Sequence, residues 1–182
     1  MSVRVAFQGE LGAYSEVAIA QKFAEYEPIP CRTFREVVER VCDGKADYGC
    51  LPVENSTTGI IAESQGLLRE FSREMLICAE AFLRIRHCLL GVPGSALERI
   101  RAVYSHPQAL AQCRRFLENL GVIVEDFYDP AGAARFVAQQ GDPTCAAIAS
   151  REAARRYNLV ILREGIESDS HNTTHFVFIQ KI

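Results

Sequence analysis

No apolar run in these 182 residues approaches the roughly 18 needed to cross a bilayer as a helix. The amino terminus, MSVRVAFQGELG, has neither a basic leader nor a long apolar stretch, which argues against a secretory signal and for a cytoplasmic protein. A marked excess of one sign of charge is also lacking. Twenty basic residues face 23 acidic ones, leaving a net −3, and no basic cluster is present, which speaks against nucleic acid as a partner. Cys-x-x-Cys is absent. The seven cysteines, Cys31, Cys42, Cys50, Cys78, Cys88, Cys113 and Cys145, are scattered, mostly through apolar segments such as YGCLPV and RHCLLGV. That pattern predicts reduced, buried thiols and argues against a zinc site. The chain lacks G-x-G-x-x-G, so no nicotinamide cofactor is expected. It also lacks G-x-S-x-G, H-E-x-x-H and G-x-x-x-x-G-K-[ST]. There is no internal repeat and no low-complexity segment.

What remains is an ordinary globular composition, 48% apolar and 24% charged, enough for a core of normal size. Strand and helix patterns alternate. Strands are expected at 4–8, 48–53, 102–104, 122–127, 144–149, 159–162 and 175–180, with a long β-like stretch over 75–92. Helices are expected at 14–23, 33–42 with Thr33 as N-cap, 60–71, 107–120, 131–139 and 151–157. This order predicts an α/β fold with mainly parallel sheets. The stretch from 75 to 92 is where the chain would leave one sheet for another, and the return falls near 158. The expected organisation is a discontinuous first lobe, 1–76 and 158–182, and a second lobe, 77–157.

In such sheets ligands bind beyond the carboxyl ends of the strands, so the polar loops there are the candidates. QGELGAYS (Gln8–Ser15) combines two glycines with a helix start that favours an anion, or simply turns and caps. ENSTTG (Glu54–Gly59) offers amide and hydroxyl groups, and Asn55 equally suits a turn. In SHPQALAQC (Ser105–Cys113), Ser105 reads as an N-cap and Pro107 suits the first turn. Gln108 and Gln112 share a helical face. CAAIAS ends at Ser150 on small residues. HNTTHF (His171–Phe176) opens the last strand. Its Thr174 is equally readable as a β-branched strand residue. From these residues alone the chain is a two-lobed α/β protein whose strand-end loops suit a polar, anionic small molecule.

Taken in order, VAFQGELGAYSEVAI, LPVENSTTGIIAES, RHCLLGV, VYSHPQALAQC, CAAIAS and NTTHFVFI resemble the prephenate dehydratase family over nearly the whole chain. The pair ENS-x-x-G and SHPQ-x-x-x-QC carries most of the resemblance. It implies a fold like type II periplasmic solute-binding proteins, with the active site in the cleft between the lobes. It also implies decarboxylating dehydration of prephenate to phenylpyruvate in phenylalanine biosynthesis, with no cofactor and no metal. By position, Thr174 matches the proposed acid. Asn55, Ser105 and Gln112 match other active-site polar positions of the family, Thr57 and Ser15 lie in matching loops, and Asn172 and His175 of the last motif complete the expected substrate-binding set. Arogenate dehydratase is the near alternative, and a prephenate decarboxylase a further one. A catalytically inactive small-molecule binding module is the alternative of another class.

Two departures stand out. The family's Thr-Arg-Phe is Thr174-His175-Phe176 here, which exchanges a permanently charged fork for a titratable ring. Asp129-Pro130 stands where a hydroxyl residue is usual. The chain stops about where the family's carboxyl-terminal ACT regulatory domain begins, so the expectation is a catalytic domain without it. Family members are commonly dimers, which makes a homodimer a further expectation.

Overall fold

A computed structural model describes residues 2–182. It divides into two units. The first runs to Gly9, resumes over Tyr14–Arg84 and closes with His171–Ile182. The second comprises Glu10–Ala13 and Ile85–Ser170.

The first unit holds a six-stranded sheet. Its order is β2 (Tyr26–Cys31), β1 (Val3–Gln8), β3 (Tyr48–Asn55), β11 (Thr173–Lys181) and β5 (Met75–Arg84), with β4 (Gly59–Ile60) paired to β3. Helix α2 (Phe34–Cys42) shows how the unit is built. Thr33 caps it by accepting from the Glu36 amide at 3.1 Å, as expected from the sequence. Val37, Val38 and Val41 recur on one face and are fully buried against Ala6, Leu51, Val53, Val177 and Ile179. Each such side chain contributes roughly 1.5–3 kcal/mol through removal from water. Gly49 in β3 makes room for this contact, because a Cβ there would stand 2.9 Å from both Ile179 and Val37. Helices α1 (Tyr14–Lys22) and α3 (Ala62–Glu70) complete the unit.

In the second unit the strand order is β10 (Val160–Glu164), β6 (Cys88–Gly91), β9 (Cys145–Ala149), β7 (Ala102–Ser105) and β8 (Ile123–Asp126). Its helices are α4 (Pro107–Gln112), α5 (Arg114–Leu120), α6 (Pro130–Gln140) and α7 (Arg151–Arg156). Leu89, Val103, Ile148, Leu110 and Leu117 form a separate core. Residues 10–13 are bonded into this unit. Ser150 Oγ donates to the Gly12 carbonyl, and Tyr157 donates to the Leu11 carbonyl, both at 2.6 Å. A Cβ at Gly12 would come within 2.8 Å of the Ala153 backbone, and its φ of +93° suits glycine alone.

Three expectations need correction. The boundaries fall later than 76/77 and 157/158. β5 pairs with β11 from Met75 to Arg84, and β10 pairs with β6, so those strands belong to the first and second unit respectively. Parallel pairing links β1 with β2 and β3, and β7 with β8 and β9. Around β5, β11, β6 and β10 the pairing is antiparallel, so both sheets are mixed. The single helix expected over 107–120 is broken at Cys113, whose φ/ψ of −105°/12° ends α4 and begins α5. No helix among the described residues is long and apolar enough to cross a membrane.

Candidate active site

The antiparallel register of β3 and β11 sets Thr174 directly opposite Asn55. Asn55 is the hub of the first unit's polar cluster. Its Oδ1 accepts from the Thr57 amide at 2.9 Å, the Thr57 hydroxyl at 2.6 Å and the Thr58 amide at 3.2 Å, which closes the ENSTTG turn in the manner of an Asx-turn. Its Nδ2 donates to Asn172 Oδ1 at 2.7 Å and to Thr174 Oγ1 at 2.9 Å. Ser56 locks the neighbouring backbone. Its amide donates to the Thr173 carbonyl, and its Oγ accepts from the Thr173 amide, both at 2.9 Å. Asn55, Asn172 and Thr174 are all buried.

Two consequences follow from donor and acceptor counting. Both Asn55 N–H groups are engaged inside the protein. Thr174 Oγ1 already receives a hydrogen bond, so its own proton is directed to another acceptor. A donor aimed at that oxygen also stabilises the negative charge it would carry on losing the proton. Asn172 Nδ2 is buried with no hydrogen-bond partner. Such a donor costs about 1–3 kcal/mol, and a role toward a bound acceptor would account for its retention.

His175 is not brought to this cluster. Successive strand residues face opposite sides, so its ring lies on the other face of β11 from Thr174. There it stacks on Phe82 with centroids 4.3 Å apart and planes 9° apart, and its Nε2 is 3.0 Å from Glu80 Oε2. Ser15 lies buried in the first turn of α1, its carbonyl accepting from the Cys50 thiol at 3.8 Å. Among the described residues no hydrogen bond joins Ser15 to Asn55.

Ser105 and Gln112 belong to the second unit. Ser105 ends β7 fully buried, and its Oγ donates to the Ile148 carbonyl at 2.7 Å. The N-cap of α4 is His106, whose Nδ1 accepts from the Gln108 amide at 3.1 Å. Gln112 Oε1 meets Nε2 of the buried His87 at 2.7 Å. The His87 amide in turn donates to Glu167 Oε2 at 2.9 Å. Burial pushes the His87 imidazole below its ordinary range, against the opposing pull of the Gln112 hydrogen bond and the Glu167 charge. His87 and Glu167 were not singled out from the sequence. The available signal was the motif RHCLLGV itself. Asp129 caps α6 by accepting from the Gly132 amide at 2.8 Å, and burial raises its carboxyl.

All seven cysteines are free thiols. Four are buried, and burial pushes Cys31 and Cys88 up to about 11, which leaves them poor nucleophiles. Cys78 on β5 is exposed, in departure from the expectation. Among the described residues no group of three or more His, Cys, Asp or Glu is arranged to hold a metal ion.

Fold and clusters together define a two-unit α/β protein that presents neutral amide and hydroxyl groups at its strand ends. Residues 5–182 match the model of the family described as prephenate dehydratase. The bifunctional N-acyl-homoserine lactone acylase/prephenate dehydratase of Komagataeibacter europaeus is 41% identical over 94% of this chain and 60% of its own length. Arogenate dehydratase 2 of Petunia hybrida is 41% identical over 98% of this chain and 45% of its own. The crystal structure of prephenate dehydratase in complex with L-Phe from Arthrobacter aurescens superposes with a TM-score of 0.89 at 28% identity, covering 99% of this chain and 61% of that one. The chain therefore belongs to the prephenate dehydratase family. It spans about half the length of the curated relatives it matches.

Proposed function

We propose that this chain is a dehydratase acting on prephenate, with Thr174 as the general acid. The supporting observation is the 2.9 Å hydrogen bond from Asn55 Nδ2 to Thr174 Oγ1, which leaves the threonine O–H to donate elsewhere and favours its deprotonated form. In the reaction the ring loses carbon dioxide. The electron pair of the broken C–C bond enters the ring, and the ring C–O bond breaks as Thr174 transfers its proton to the departing hydroxyl. The products are phenylpyruvate, carbon dioxide and water, and solvent returns one proton to Thr174. Aromatisation supplies the driving force, so the protein must mainly orient the ring and assist the leaving group. Asn55 acts as a positioning residue, since its own hydrogen bonds stay within the protein. Asn172 Nδ2 and Gln112 are proposed as neutral donors to the substrate; Thr57 closes the turn that holds Asn55, and Ser105 ends the strand that leads into the helix of Gln112.

Arogenate is the second reading. It is favoured by relatives named arogenate dehydratase at 41% and 43% identity. The purified chain is to be incubated separately with prephenate and arogenate and the products identified. Phenylpyruvate formed from prephenate faster than phenylalanine from arogenate is expected. The reverse preference moves the assignment to arogenate, and no turnover of either removes the dehydratase reading. Thr174→Val should lower kcat by about 10²–10⁴-fold, the usual worth of general acid catalysis, while Thr174→Ser retains most of it. Full activity in Thr174→Val would sink the assignment of the acid.

A further inference from the structure

Of the four histidines, His87 is the buried one, only 2% exposed. It lies between β5 and β6, where no strand pairing fixes it. Residues 165–168 take over that task. The His87 carbonyl accepts from the Gly165 amide at 2.9 Å and from the Ile166 amide at 3.2 Å, while its own amide donates to Glu167 Oε2 at 2.9 Å. The same stretch reaches Gln112, whose carbonyl accepts from the Ser168 amide at 2.8 Å. Both backbones are thus held by one loop, and the two side chains meet at 2.7 Å.

The two ends of a carboxamide are nearly equal in shape and opposite in hydrogen-bonding sense. What a glutamine offers a ligand therefore depends on which end is already held. A neutral imidazole donates through one nitrogen only. When His87 Nε2 carries the proton, it holds the Gln112 carbonyl end, and the amino end points away from the ring. The other tautomer would reverse the amide and offer an acceptor, which repels a carboxylate.

We propose that His87 is a positioning residue that sets the polarity of Gln112, holding Oε1 so that the amino end of the amide, and not its carbonyl, is turned to the anionic substrate. This rests on the reading of Gln112 as a substrate contact. His87 itself touches no substrate and acts through Gln112.

The test compares His87→Leu, His87→Gln, Gln112→Leu and the double His87→Leu/Gln112→Leu, assayed on prephenate and arogenate. His87→Leu and Gln112→Leu should each raise KM about ten-fold with kcat much less affected, the signature of lost ground-state binding. The double variant should be no worse than either single one, since coupled residues are not additive. His87→Gln, whose amide can donate, should recover most of the loss. Additive losses, or a wild-type KM in His87→Leu beside an impaired Gln112→Leu, overturn the inference and leave the reading of Gln112 standing. Wild-type kinetics in Gln112→Leu overturn that reading, and the inference with it. If His87→Leu does not fold, nitrogen-15 NMR of the unsubstituted chain decides. A neutral, Nε2-protonated ring is expected, and an Nδ1-protonated ring or an imidazolium overturns the proposal.

Discussion

Thr174 and His175 are neighbours in sequence, yet the pleat sends one to the Asn55 cluster and the other to Phe82 and Glu80. Asn55→Asp tests the first environment. A carboxylate cannot donate, so it would draw the Thr174 proton toward itself and repel negative charge on that oxygen. A fall in kcat of about 10²–10³-fold is expected, comparable with the loss of an oxyanion donor; a kcat near wild type removes the Asn55 role. His175→Arg tests the second. An arginine can reach Glu80 and stack on Phe82, so kcat and KM should stay within about two-fold, because exposed pairs of this kind are worth only about 0–1 kcal/mol. A large kinetic change would show that this face of β11 serves the reaction.

His87 adds a pH dependence. Its folded-state value is lowered from the ordinary 6.5, so the unfolded chain takes up the proton more readily than the folded one. The stability linked to neutral His87 is fully present above that ordinary value and is lost as pH falls through the lowered one. Urea midpoints between pH 8 and 5 should fall more steeply for the wild type than for His87→Gln. Parallel curves would remove His87 as the source.

At the scale of elements, Gly49 is a tightly constrained position in β3. Gly49→Ala would press a methyl against Ile179 and Val37 at 2.9 Å and should cost about 1–3 kcal/mol, the usual range for overpacking. Thermal unfolding measures it, and an unchanged midpoint would mean that α2 can shift freely. Much of this level was readable in the chain. The valine spacing of α2 and its Thr33 cap are local facts, and local facts survive folding. β2 was missed because YEPIPC carries two prolines. It is an edge strand, paired with β1 alone. Pro28 and Pro30 share one parity, so their missing N–H groups fall on the unpaired side. The side of β11 that His175 faces, and the partner of Gln112, depend on pairings across tens of residues. No window of sequence contains them. Asn55 was found as a candidate, but its bonds to Thr174 and Asn172, more than a hundred residues away, come only from strand register.

At the scale of the whole molecule, each unit has its own sheet and its own core. Val37→Ala should weaken the first core and Leu89→Ala the second, the latter by about 2–5 kcal/mol. Hydrogen exchange read by mass spectrometry should show each substitution loosening chiefly the sheet it belongs to. Equal loss of protection in both sheets would mean that the chain opens as one cooperative body.

β11 lies between β3 and β5, and on a ribosome that placement becomes a matter of timing. Residues 85–170 must be synthesised after β5 before the strand that joins β3 to β5 exists. At ordinary translation rates of about 5–20 residues per second, the interval is on the order of 4–20 seconds. During it, two strands that will flank β11 have unpaired edges, and β5 carries Leu76, Ile77 and Phe82. The nascent first unit is thus the stage at which a chaperone holding open strand edges would matter most, while the second unit can already be closing its own sheet.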